Sequence, residues 1–155
     1  MEHRIIELLR QRTRISFPVE EAESTFEMLL AACALLLELA SADGEFTHEE
    51  RKRIYALFRD EYQMFTEDVE ELIDLTEEAI GSGRETKEFT AIVNAEYSIH
   101  EKLHLVTLMW KIVFADGIAD DRESRLIEML AGKLGVSDQQ IREAGARAGF
   151  NPPQT

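Results

Sequence analysis

Two stretches of this sequence carry acids at one shared spacing. The chain reads Ala42-Asp43-Gly44, five residues and Glu50, and again Ala115-Asp116-Gly117, five residues and Glu123. Carboxylate oxygens in such a pattern are what hard divalent cations take, and glycine lets the chain turn so that the Asp and the following Glu face one concavity. The spacing equals the second half of an EF-hand loop. The first half is missing: four and two positions before the Asp stand Leu39 and Ser41 in one copy, Ile112 and Phe114 in the other. Neither copy alone cages calcium, whereas Asp43, Glu50, Asp116 and Glu123 drawn together would repel one another until a cation relieved them. Calcium, magnesium or manganese suits an all-oxygen set, and zinc enters if a nitrogen such as that of His48 joins. A purely structural role stands beside this reading, with Glu50 and Glu123 as helix caps and Asp43 and Asp116 as turn residues.

A second pattern, His100-Glu101-Lys102-Leu103-His104, satisfies H-E-x-x-H. On a helix both imidazoles would share a face as zinc ligands with Glu101 as general base, and Glu123, nineteen residues on, offers a third ligand. That is the alternative function, a zinc-dependent peptidase. Against it, Ser98 and Glu101 form a capping pair, which puts the motif in the first turn of its helix. Lys102 adds a charge inside the motif, and no strand is available to hold an extended peptide.

The elements that position these residues are helices. Phe26, Leu29, Leu30, Cys33, Leu36, Leu37 and Ala40 recur at steps of three and four, as do Ile54, Leu57 and Phe58, then Val69, Leu72, Ile73, Thr76 and Ile80. Capping-box pairs mark four starts: Thr47 with Glu50, Ser98 with Glu101, Asp120 with Glu123, Ser137 with Gln140. Breaks fall at Ser16-Phe17-Pro18, Asp43-Gly44, Gly81-Ser82-Gly83, Tyr97-Ser98, Asp116-Gly117 and Gly135. Sliding the chain by 73 residues superposes six identities in the sixteen positions from Ala42 to Leu57, against about one expected by chance. The expectation is an all-α single domain of seven to eight helices, built as two related helix-loop-helix halves about a pseudo-twofold axis.

Composition fits this frame. The 155 residues are 45% hydrophobic, enough for one domain with its own core. Thirty-one acids against seventeen bases give a net charge of −14, which repels nucleic acid. The lone Cys33 sits in an apolar run and reads as a small buried hydrophobe, in keeping with a reducing, cytoplasmic setting. The apolar stretch Met28 to Ala42 is too short, and interrupted by Glu38, to make a transmembrane segment. It reads as a buried core helix.

The doubled Ala-Asp-Gly-x5-Glu loops after apolar helices, with Leu108-Met109-Trp110-Lys111-Ile112-Val113 ahead of the second, resemble the TerB-like family associated with bacterial tellurite resistance, over roughly residues 25 to 148. The resemblance implies an all-helical, non-enzymatic module with an acidic cluster that binds divalent metal, beside membrane and stress-response partners. It assigns that cluster to Asp43, Glu50, Asp116 and Glu123.

Residues 1–15 read as a basic amphipathic helix, with Arg4, Arg10, Arg12 and Arg14 around Ile5, Ile6, Leu8 and Leu9. Residues 16–150 form the TerB-like domain and residues 151–155 a disordered tail. Glu67, Asp68, Glu70, Glu71, Asp74, Glu77 and Glu78 crowd a later helix as a solvated face. That face suits a basic protein partner, or the N-terminal helix in cis or across a homodimer.

Overall fold

A helix apolar on one stripe lies on a surface, whereas one apolar all round must be enclosed. α1 (Val19–Ala40) is of the second kind, since every residue from Leu29 to Leu37 is buried. Five of the six later helices pack on it. The structure, a computed structural model, describes residues 19–41, 47–113 and 121–149. The expected N-terminal helix, the two Asp-Gly turns, the Asp120 cap and the C-terminal tail lie outside the described residues.

The helices that follow α1 are α2 (His48–Glu61), α3 (Thr66–Gly81), α4 (Thr86–Glu96), α5 (Ile99–Val113), α6 (Asp121–Lys133) and α7 (Asp138–Arg147). Among the described residues there is no strand, and the fold is all-α as the periodicity predicts. Thr47 and Glu50 cap α2 reciprocally, and Ser137 with Gln140 does the same for α7. Ser98 and Glu101 close the third such box: the Ser98 N–H donates to Glu101 Oε1 at 2.9 Å, and the Glu101 N–H donates to Ser98 Oγ at 3.2 Å. Each box satisfies helix-start N–H groups that would otherwise lack partners, for about 1 kcal/mol. At the other ends the chain turns through glycine: Gly83 at φ 105° after α3 and Gly135 at φ 76° after α6, conformations that a Cβ would disfavour.

α5 is the second enclosed helix, with Leu105 to Trp110, Ile112 and Val113 buried. Its end at Val113 falls 73 positions after the end of α1 at Ala40, and α6 starts at Asp121, 73 positions after His48. Ile54 and Leu57 of α2 are buried, as are their counterparts Ile127 and Leu130 of α6. The duplication reaches further than the sequence identities do. Val69, Leu72 and Ile73 of α3 correspond, at a spacing of 72, to the buried Ile141, Ala144 and Gly145 of α7. Each half is therefore three helices, α1-α2-α3 and α5-α6-α7, joined by α4.

Packing obeys the same symmetry. Within each half all three helices touch pairwise. Across the halves α1 meets α5, α1 meets α6, and α2 meets α5. In the second half Trp110 of α5 is buried, and its Nε1–H ties α5 to α7 by donating to the Ile141 carbonyl at 3.1 Å.

The acidic helix differs from its expected form. α3 is not a uniformly solvated face: Asp68 is buried, and Asp74 and Glu77 accept from Arg51 of α2 at 2.8 and 2.6 Å. A charged seam thus joins α2 to α3, and part of the acidity is matched within the fold.

Candidate functional site

The first acidic loop starts where α1 stops, at Ser41, whose Oγ donates back to the Leu37 carbonyl at 2.7 Å. It ends at Thr47, which caps α2 and accepts from the Glu50 N–H at 3.2 Å. Glu50 is half-buried, and its Oε1 takes the Thr47 N–H at 3.3 Å and the Thr47 hydroxyl at 2.9 Å. Both cap bonds use one oxygen, so Oε2 takes no part in the cap. In the second half, Glu123 occupies the same third position of α6 and is also half-buried. Asp43 and Asp116 lie outside the described residues. His48, the first residue of α2, is exposed. Its counterpart at the start of α6 is Asp121, so the two helix starts are acid-rich in both copies. Acids there also suit the positive end of the helix dipole. Among the described residues, no group of three or more His, Cys, Asp or Glu side chains stands together as a metal-holding set.

The H-E-x-x-H motif is placed at the surface. His100, Glu101 and His104 are all exposed on the first turns of α5. Glu101 gives a carboxylate oxygen to the Ser98 N–H, which sets it as a cap. His104 faces the last turn of α2, where its Nε2 lies 3.7 Å from Glu61 Oε2 and its ring meets Tyr62 edge-on at 6.4 Å. Glu61 Oε1 accepts from Lys111 Nζ at 2.6 Å. Burial first, then the charges of Glu61 and Glu101, push the Tyr62 phenol up to about 12, so it stays neutral. Glu61 escaped the sequence reading although it carried one signal. An acid in the last turn of a helix opposes the dipole, and here Lys111 and His104 offset that cost.

Cys33 is fully buried. Desolvation pushes its thiol up to about 12, with the Thr76 hydrogen bond pulling weakly the other way. It is a core atom without nucleophilic character. A cleft of about 240 Å³ opens between α1, the end of α3 and the start of α4, floored by Leu37, Ile80 and Phe89. Its polar groups already hold one another. Thr86 Oγ1 donates to Glu38 at 2.7 Å, and Arg84 lies over the Phe89 ring while donating to Glu27 and Glu88 at 3.2 Å each. Among the described residues no helix is long and apolar enough to cross a membrane.

No curated protein and no solved structure matches the chain. A family model does, that of tellurite resistance protein TerB, over residues 29–146. This span runs from the buried part of α1 through α7 and takes in both three-helix halves, and the chain therefore belongs to the TerB family.

Proposed function

We propose that this chain is a non-catalytic, cytoplasmic TerB module that binds a divalent cation through Asp43, Glu50, Asp116 and Glu123 and engages a protein partner in tellurite or stress response. The observation that carries the reading is the symmetry of the frame. Two enclosed helices, α1 and α5, end 73 residues apart, and α2 and α6 resume 73 residues apart. Glu50 and Glu123 therefore hold one equivalent position, each following an Asp-Gly turn in the sequence. The donor chemistry fits a hard ion, since the set is all carboxylate and the cap of α2 uses only one oxygen of Glu50. A bound cation would neutralise part of a chain of net charge −14.

Calorimetric titration and thermal melts with calcium, magnesium and manganese test this. Binding with a rise in melting temperature is expected in the natural chain and is lost in Asp43→Ala with Asp116→Ala. Binding unaltered in that double variant returns the acids to caps and turns.

A further inference from the structure

The H-E-x-x-H motif leaves two imidazoles on one face of α5 once Glu101 is assigned to the cap. Residues at i and i+4 stand about 5–6 Å apart at their Cβ atoms, a reach that one metal ion spans. Glu61 brings an oxygen to His104 from another helix and the other half of the duplication. Its Oε2 lies 3.7 Å from His104 Nε2, too long for a good hydrogen bond. Two ligands of one tetrahedral zinc, at bond lengths of about 2.0–2.1 Å, stand roughly 3.3 Å apart. The observed gap is thus within about half an ångström of what an ion would set.

We propose that His104 and Glu61, joined by His100 from one turn earlier on α5, bind a transition-metal ion of the zinc, nickel or copper class and so clip α2 to α5. Two nitrogens and an oxygen select these ions over calcium and magnesium, which separates this site from the acidic loops. His100 swings in on binding, since no three ligands stand together beforehand among the described residues. Lys111 sits on the opposite oxygen of Glu61, on an exposed flexible stem that moves into water as the ion arrives. There is no hydrolytic step in this site: Glu101 faces the Ser98 amide, and the ion fastens two helices.

The test uses the full chain after chelator treatment. Zinc is titrated calorimetrically at pH 7.5 into the natural chain, His100→Ala, His104→Ala, their double variant, and Asp43→Asn with Asp116→Asn. Copper(II) loading is followed by electron paramagnetic resonance. Zinc binding is expected to persist in the double-Asn variant and to weaken at least about tenfold in each single His variant, with coupling to two imidazole nitrogens in the copper spectrum. Circular dichroism should stay unchanged, because both imidazoles are exposed. Absence of zinc binding, equal affinity in the double-His variant, or a copper signal without nitrogen coupling overturns the proposal. Failure of the acidic-loop reading shows separately, in the calcium, magnesium and manganese titrations of the double-Asn variant.

Discussion

Glu50 offers a clean separation between capping and cation binding, because the chain itself supplies the control. In α7 the same capping position is filled by Gln140, whose side-chain oxygen accepts from the Ser137 N–H at 3.0 Å while its backbone N–H donates to Ser137 Oγ at 3.2 Å. Glu50→Gln should therefore keep the α2 cap and remove only the charge. Losing the favourable charge at an exposed helix start costs about 0.3–1 kcal/mol. Glu50→Ala also loses both cap bonds to Thr47, at 2.9 and 3.3 Å, for a total near 1.5 kcal/mol. For a chain of 155 residues that corresponds to a drop in melting temperature of about 3–6 °C, against about 1–4 °C for the Gln variant. Cation affinity should behave differently: both variants remove one carboxylate of four and should weaken calcium or manganese binding to a similar degree. Thermal melts without metal, then calorimetry with it, give the two readouts. Gln and Ala variants equally destabilised without metal would refute the cap argument. A Gln variant that binds as tightly as the natural chain would remove Glu50 from the ligand set.

Other perturbations follow from the core and the termini. Cys33 should resist thiol reagents in the folded chain and react on denaturation. Its folded thiol titrates near 12 against an ordinary 9, so its contribution to stability is whole below pH 9 and falls as pH rises toward 12, by up to about 1.4 kcal/mol per unit. Cys33→Ala should flatten that part of the alkaline stability profile, which denaturant melts from pH 8 to 11 would read. Trp110→Ala should cost about 3–5 kcal/mol by chemical denaturation, because it empties a large buried site, while Trp110→Phe loses mainly the bond to Ile141 and should cost about 1–2. A double-mutant cycle on Arg51 and Glu77 should give a coupling below about 1 kcal/mol that shrinks with salt, since both side chains are partly exposed. If the chain self-associates through its basic N-terminal segment, a chain starting at Ser16 should show a lower mass by light scattering at low salt than the full chain, and the two should converge at high salt.

Which features were legible in the sequence depended on range. The boxes Thr47–Glu50, Ser98–Glu101 and Ser137–Gln140 span three residues and were readable, because a cap is a local arrangement of atoms. The enclosed character of α1 was readable for a similar reason, from a run with Glu38 as its only charge. The third helix of each half was not, since Val69, Leu72 and Ile73 share no residue with Ile141, Ala144 and Gly145. Their equivalence shows only in spacing and burial, with Ala144 and Gly145 buried where the first half has Leu72 and Ile73. Nor does a row of acids say which of them faces a partner. Asp68 and Asp74 look alike in sequence, and only the packing of α2 on α3 buries one and gives Arg51 to the other. Glu61 and His104 meet across two helices, a contact that neither segment announces. At the acidic loops the spacing proposes four carboxylates, and the frame places two of them, Glu50 and Glu123, at equivalent helix positions.

The position of α1 has a consequence for synthesis. The helix around which the domain closes is also the first described one to leave the ribosome, and its apolar circumference needs α5 and α6 as well as its near neighbours. At about 5–20 residues per second, the 73 residues separating the end of α1 from the end of α5 take about 4–15 seconds to appear. For that interval the most hydrophobic segment of the chain lacks the wall that α5 and α6 supply. The first three-helix unit and α4 can shelter part of it, and the remainder is a binding stretch for a holding chaperone, so newly made chains of this protein should depend on such help more than refolded ones do.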